Sequence, residues 1–311
     1  MLIFDAAAVA RKLPYANLID ALDAAFRGDA TVPARAQHTI PCPDAADATL
    51  LFMPAWRAGA AIGVKIASVF PDNAKKGKGA VNASYFLLDG ETGEPRAVID
   101  GGELTLRRTA CASALASRYL SPADAKSLLM IGTGNLAPHL VAAHATVRDY
   151  TRIRIWGRNA QKAETIAAAL SSDHADVRAV DNLEAAVREA DVVSSATLSS
   201  EPLVRGGWLR PGQHVDLVGA FTPDMREADS EAIRRARIVV DTYEGAFSEA
   251  GEIVQALDKR VISKSDLAAE LSELVRGTRP GRRSPDEITL FKSVGTALED
   301  LAAAELVVAG C

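Results

Sequence analysis

Residues Ser127, Leu128, Leu129, Met130 and Ile131 form a short apolar run, and Gly132, Thr133, Gly134, Asn135, Leu136 and Ala137 follow it directly. This reads as a buried strand that ends in a glycine turn and opens a helix, the arrangement that holds a dinucleotide cofactor. The first glycine permits a tight turn and the second lets the backbone approach a pyrophosphate. Ala137 stands at the third position, where a small residue lets helix pack closely on strand. The first N–H groups of the helix, together with its dipole, complete a phosphate site.

A second strand is expected about 20 residues further on, and residues 151–156 supply it, followed by Gly157, Arg158 and Asn159. The end of that strand selects the cofactor. An acidic residue there would accept hydrogen bonds from a ribose 2′-OH, whereas a 2′-phosphate needs a cation. The chain has Arg158 and no acid between Tyr150 and Lys162, which favours NADPH and leaves NADH usable; the alternative is that Arg158 is a solvated surface residue. Further apolar runs at 191–197, 214–219 and 236–241 alternate with Ala-rich helical stretches at 160–170 and 183–190. Such alternation predicts a doubly wound parallel sheet over residues 120–285. Ligands of that fold sit at the carboxyl ends of the strands, which adds Ala196, Thr197, Val218 and Gly219 to the candidate cofactor-binding residues.

The first hundred residues differ in texture. Residues 15–27 read as an amphipathic helix between Pro14 and Gly28, and Pro33, Pro41, Pro43 and Pro54 then punctuate short alternating runs. Strands are expected at 50–53, 61–70, 83–88 and 96–100, an antiparallel region joined to the nucleotide domain by a helix over 104–119, with Ser121 and Pro122 marking the boundary. At 311 residues, two domains are expected. A net charge of -5 and the dispersal of basic residues among acidic ones argue against a nucleic-acid partner. No apolar run is long enough for a membrane helix and the N-terminus lacks a signal pattern, so a cytoplasmic location is expected. Cys42, Cys111 and Cys311 are widely spaced and read as thiols in a reducing compartment. His139 and His144 read as packing residues, and no metal site is expected.

Several cations stand out. Lys65 lies within an apolar strand, where an ammonium ion is costly unless paired. Either it alternates outward to solvent or it points into a pocket that holds an anion. Arg107 and Arg108 precede Thr109 early in a helix, and Arg35 follows Pro33 and Ala34. A guanidinium grips a planar carboxylate through two parallel hydrogen bonds, but each of these residues could also be an ordinary surface arginine.

Taken together, these segments resemble the ornithine cyclodeaminase and mu-crystallin family over essentially the whole chain. The matching residues are Pro33-Ala34-Arg35, the run from Gly63 through Lys65 to Pro71, the run from Leu104 through Arg108 and Thr109, the turn from Ile131 to Ala137, Trp156-Gly157-Arg158-Asn159, and the run from Phe291 to Asp300. The resemblance implies an α/β protein in which a Rossmann-type doubly wound NAD(P)-binding domain, residues 120–285, is inserted in a discontinuous α+β substrate-binding and dimerisation domain, residues 1–119 plus 286–311. It carries Arg35, Lys65 and Arg108 over as residues that bind a substrate carboxylate, with Lys65 and Arg108 as the catalytic pair. Asn82 and Thr109 come over as neighbours in that pocket, and Ser293 and Gly295 as residues near the nicotinamide. It also implies a homodimer.

Members of the family close ornithine or lysine into rings with loss of ammonia, oxidise alanine reversibly, or reduce cyclic imino acids. The cyclodeaminases carry an Asp two residues before a Pro in a Gly-Gly-Asp-Cys-Pro segment, and it acts on the amino group. Here the corresponding stretch runs from Val218 to Glu227, and that position is Phe221. A phenyl ring neither holds an ammonium ion nor moves its protons. Asp224 lies past a Pro in the same loop and is the alternative carboxylate. The variant resembles the branch that reduces Δ1-pyrroline-2-carboxylate and Δ1-piperideine-2-carboxylate, with the substrate carboxylate on Arg108, Lys65 and Arg35 and with Phe221 either a wall against the ring or ordinary core. The rival expectations are a cyclodeaminase, an alanine dehydrogenase, or a mu-crystallin-like protein that binds NADPH and a small acid without turnover.

Overall fold

The structure, a computed structural model, describes residues 1–171 and 175–310; Cys311 lies outside them. The chain divides into two compact units, residues 1–108 with 296–311 and residues 109–295. The first unit opens with β1 (Leu2–Phe4), α1 (Ala6–Lys12) and α2 (Tyr15–Arg27). Leu18, Ile19, Leu22 and Phe26 form the buried stripe of α2, which Gly28 terminates. Strands β2 (Ala36–Ile40), β3 (Ala48–Arg57), β4 (Ala61–Val69), β5 (Val81–Asp89) and β6 (Pro95–Asp100) follow, and then α3 (Gly101–Leu120).

Among the described residues these strands form one six-stranded sheet in the order β1-β6-β5-β4-β3-β2. Its successive neighbours from β2 to β6 are antiparallel, and β1 is parallel to β6. Pro54 does not end its strand as expected; it lies inside β3, opposite Val64 of β4. The pairing of β2 with β3 stops at Phe52, so the N–H that proline lacks falls where β3 has no partner in β2.

The second unit contains β7 (Ser127–Ile131), α4 (Leu136–Ala145), β8 (Arg152–Trp156), α5 (Ala160–Leu170), β9 (Asp176–Ala179), α6 (Leu183–Glu189), β10 (Val192–Ser195), β11 (His214–Leu217), α7 (Ser230–Arg235), β12 (Arg237–Val240), α8 (Tyr243–Ser248), α9 (Gly251–Asp258), β13 (Leu267–Glu270), α10 (Leu271–Arg276) and β14 (Thr289–Lys292). Its described strands form an eight-stranded sheet, β13-β12-β14-β11-β10-β7-β8-β9. Every pair in it is parallel. Strand order runs outward from β7 to β9 and then reverses at β10, which puts the topological switch point between β7 and β10. Strand β14 corrects the expected boundary at residue 285, because it is inserted between β11 and β12 and keeps the chain in this unit through Gly295.

The chain then supplies α11 (Ala297–Val308) to the first unit, where it packs on α2, β3, β4 and β5. Ala297, Leu301, Ala303, Ala304 and Val307 are all buried, as expected of a helix covered on all sides. No helix among the described residues is long and apolar enough to cross a membrane.

Candidate active site

In β4 the buried positions alternate as Ala61, Gly63, Lys65 and Ala67. Period-two geometry therefore sends the Lys65 side chain to the covered face of the sheet, which rules out the solvent-facing reading of this residue. Helix α11 meets it there with two acids in its first turn, Glu299 and Asp300. Lys65 Nζ lies 2.6 Å from Asp300 Oδ2, Arg108 Nε 2.9 Å from Asp300 Oδ1, and Arg108 Nη1 donates to Glu299 Oε2 at 2.5 Å. All four side chains are buried. Two cations and two carboxylates neutralise one another, and the acids lie at the helix end whose dipole favours negative charge. Burial, with the adjacent Arg108 charge, pulls the Lys65 ammonium down to about 8 in spite of Asp300.

The two adjacent arginines of α3 do different things. Arg107 bonds Glu103 at 2.6 Å and the Leu13 carbonyl at 3.0 Å, and its guanidinium lies over the Tyr15 ring, so it ties α3 to the start of α2. Arg108 alone enters the acid cluster. Arg35 is half-buried just before β2, and Thr109 is half-buried on α3. Asn82 is exposed near the start of β5, where its amide reaches the Gly79 carbonyl at 3.5 Å. Tyr85, opposite Lys65 in the β4–β5 register, is fully buried, and its hydroxyl occupies the space that a side chain at residue 63 would fill.

In the second unit, Gly132 closes the turn after β7 with φ +124°, a conformation closed to other residues, and a Cβ there would lie 2.5 Å from the Ala196 carbonyl oxygen. Ala137 is buried at the base of α4, and the space beside Gly134 is open for 4 Å. A glycine turn at the switch point with room above its second glycine fits a dinucleotide. Arg158 is exposed beyond β8 with no acid beside it in sequence. Asn159 caps α5, its side chain accepting from Lys162 N at 3.0 Å, so its carboxamide oxygen serves the helix.

The loops after the central strands are anchored from within. Ser293 is buried and donates its N–H to the Leu217 carbonyl. Asp241 accepts the N–H groups of Val294 and Gly295 at 2.8 and 2.7 Å. Val218 donates to the Ser195 carbonyl, while Thr197 and Gly219 donate to Glu227. Phe221 is 42% exposed, which excludes the ordinary-core reading. Asp224 is exposed and accepts from Thr222 Oγ1 at 2.6 Å, a bond that lowers its pKa below the ordinary carboxylate value and makes it a weak base. His144 is buried against Asp216, with Ser194 on the same carboxylate oxygen. Among the described residues no group of three or more His, Cys, Asp or Glu side chains could hold a metal ion.

The sequence profile of the ornithine cyclodeaminase/mu-crystallin family matches residues 2–309. The chain belongs to this family. A Δ1-pyrroline-2-carboxylate reductase of Colwellia psychrerythraea is 38% identical over 313 residues, 99% of this chain and 98% of the relative. Among solved structures, the Δ1-pyrroline-2-carboxylate reductase of Thermococcus litoralis in complex with NADH and L-proline is 35% identical with a TM-score of 0.92, over 99% of this chain and 96% of that one. An archaeal alanine dehydrogenase dimer with bound NAD is 31% identical with a TM-score of 0.91, over 99% and 94% of the two chains.

Within the family framework, the sequence reading missed the acids that hold the cations. Glu299 and Asp300 were visible in the matching run that ends at Asp300, but nothing in their spacing names Lys65 or Arg108 as partners. Glu227 was likewise visible only as the last residue of the Phe221 loop.

Proposed function

We propose that this protein is an NAD(P)H-dependent reductase of cyclic imino acids, converting Δ1-pyrroline-2-carboxylate to L-proline and Δ1-piperideine-2-carboxylate to L-pipecolate. The observation that carries the reading is the end of β11. An exposed phenyl ring, Phe221, stands where a cyclodeaminase needs its carboxylate, and the nearby Asp224 faces solvent with its charge held by Thr222. The relatives named as pyrroline-2-carboxylate reductases, one of them bound to NADH and L-proline, support the same choice.

A bound nicotinamide would supply a hydride to C2 of the C=N bond while the ring nitrogen takes a proton, giving the amine and oxidised coenzyme. Arg108 and Lys65 hold the substrate carboxylate; Arg35, Asn82 and Thr109 are the further candidates in that pocket. Glu299 and Asp300 hold both cations in place when no substrate is present. Gly132, Gly134 and the first turn of α4 would hold the pyrophosphate.

Initial rates of NADPH and NADH oxidation with each imino acid test the proposal, alongside ammonia release from L-ornithine with NAD⁺. Saturable imine reduction and silence with ornithine are expected. Ammonia and proline from ornithine would overturn it, and coenzyme binding without oxidation would make the protein a binder.

For the coenzyme, Arg158 supports NADPH as the preferred donor, with NADH also used. Arg158→Ala is expected to raise the KM for NADPH by about five- to ten-fold, the worth of one exposed charge-assisted contact, and to leave that for NADH nearly unchanged. Equal KM changes for both coenzymes would remove Arg158 from the 2′-phosphate.

A homodimer and a reducing, cytoplasmic setting complete the proposal. On the face of the first sheet opposite Lys65, Val64, Phe86 and Val98 lie in register across β4, β5 and β6, and Phe86 is 38% exposed. Such a row suits a second copy of the chain. Phe86→Asp is expected to weaken dimerisation by about a hundred-fold or more, read by analytical ultracentrifugation, because it buries an unpaired charge in the contact.

A further inference from the structure

Among the described residues, and apart from the cation cluster, the buried carboxylate with the most hydrogen bonds is that of Glu227, beneath the carboxyl ends of β10 and β11. Its Oε1 accepts from Ser195 Oγ at 2.6 Å, Thr197 N at 2.6 Å and Thr197 Oγ1 at 2.9 Å. Its Oε2 accepts from Gly219 N at 2.6 Å and Ala220 N at 3.3 Å. One oxygen therefore holds the loop after β10 and the other the loop after β11. The two loops touch, since a Cβ on Gly219 would lie 2.0 Å from the Thr197 carbonyl oxygen. The anchor is itself fixed from behind: Glu227 N donates to Glu252 Oε1 at 2.6 Å, and Glu252 pairs at 3.2 Å with Lys292, whose Nζ donates to the Ala220 carbonyl at 2.6 Å.

In a doubly wound sheet the two halves of a dinucleotide lie on opposite sides of the switch point. Arg158 marks the adenosine side, beyond β8, so the nicotinamide half falls over β10 and β11. Those two loops also carry Leu198 and Phe221, large apolar side chains that are 67% and 42% exposed, and a flat ring is the kind of ligand that exposed apolar side chains favour.

We infer that Glu227 is the positioning residue for the nicotinamide half of the coenzyme, setting the spacing of the Thr197 and Gly219 loops through its two carboxylate oxygens. The inference rests on the coenzyme reading above. A carboxylate suits the task because both oxygens only accept. A carboxamide in either orientation turns an NH₂ group toward N–H donors and must release one loop.

The test is Glu227→Gln, with affinities for NADPH, NADH and the adenosine fragment 2′,5′-ADP measured by fluorescence titration and competition. NADPH and NADH are both expected to bind about ten-fold or more weakly, the loss that follows from one broken hydrogen bond to a buried charge, while the fragment stays within about two-fold. Asp216→Asn, which removes a buried carboxylate of the same sheet that serves His144 and Ser194, is the control and is expected to change none of the three affinities. Ser195→Ala removes a single donor to Glu227 and is expected to weaken NADPH about three-fold; it serves as the test if Glu227→Gln does not fold. Unchanged NADPH affinity in the folded variant, or an equal loss for the fragment, overturns the inference. A wild-type chain that binds neither coenzyme overturns the coenzyme reading itself, before any variant is made.

Discussion

Arg108→Met is expected to lower kcat/KM for Δ1-pyrroline-2-carboxylate by about a thousand-fold and to cost about 3–5 kcal/mol of stability. Both effects come from one side chain with two duties. Arg108 bonds Glu299 and Asp300, so its removal leaves two buried carboxylates with Lys65 as the remaining cation. On the proposed function it also takes away the planar fork that would grip the substrate carboxylate, worth about 3–6 kcal/mol when two charge-assisted hydrogen bonds are lost from a site shielded from water. Steady-state rates at saturating NADPH and urea unfolding measure the two losses separately. The neighbouring Arg107 provides the contrast. It bonds Glu103 and the Leu13 carbonyl, and Arg107→Met should reduce stability by about 1 kcal/mol with kcat/KM unchanged. An Arg108→Met enzyme with an unaltered KM for the imino acid would remove Arg108 from the substrate site.

The parallel sheet was legible because its strands are short apolar runs set off by glycine turns and Ala-rich helices. Strands β7, β8, β10, β11 and β12 all fall within the runs read from sequence. Strand β14 was not legible. It ends in Lys292, a residue type that argues against a fully buried strand unless its partner is known, and the partner Glu252 lies on α9. That one omission displaced the domain boundary to residue 285. The extent of β3 failed for a similar reason: Pro54 normally interrupts a strand, and its tolerance here depends on where β2 stops pairing.

The candidate site divides in the same way. Local chemistry exposes the turn at Gly132 and Gly134, because turn geometry depends on adjacent residues. Alternation gives the parity of Lys65 but not which face of the sheet is covered, and that depends on α11, which arrives from the end of the chain. The Asn159 side chain caps α5, a role that an Asn before an Ala-rich helix signals on its own. Long-range pairing of buried charges leaves no local pattern, so Glu227, Glu299 and Asp300 needed the folded chain.

Lys65 and Asp300 should separate stability from activity. Lys65→Met leaves Asp300 on Arg108 alone and is expected to cost about 1–3 kcal/mol, with kcat/KM down by about a hundred-fold or more. Adding Asp300→Asn removes the carboxylate that Lys65 had neutralised. The double variant should therefore be more stable than the sum of the two single changes predicts, by about 1 kcal/mol or more, and still be inactive. Full additivity would mean that the 2.6 Å pair carries no coupling.

The pH dependence of the wild type follows from the same pair. The Lys65 pKa is lowered to about 8 by burial and by Arg108, so the cation proposed to hold the substrate carboxylate is lost as pH rises through that value. The KM for the imino acid should then climb above about pH 8 while coenzyme affinity holds. Stability moves the other way: between about 8 and the ordinary lysine value the unfolded chain binds a proton that the folded chain has released, so this group's contribution to stability rises with pH across that window. Alkaline loss of activity should consequently appear without unfolding and reverse on return to neutral pH. Loss of near-ultraviolet circular dichroism over the same range would assign it to unfolding and not to Lys65.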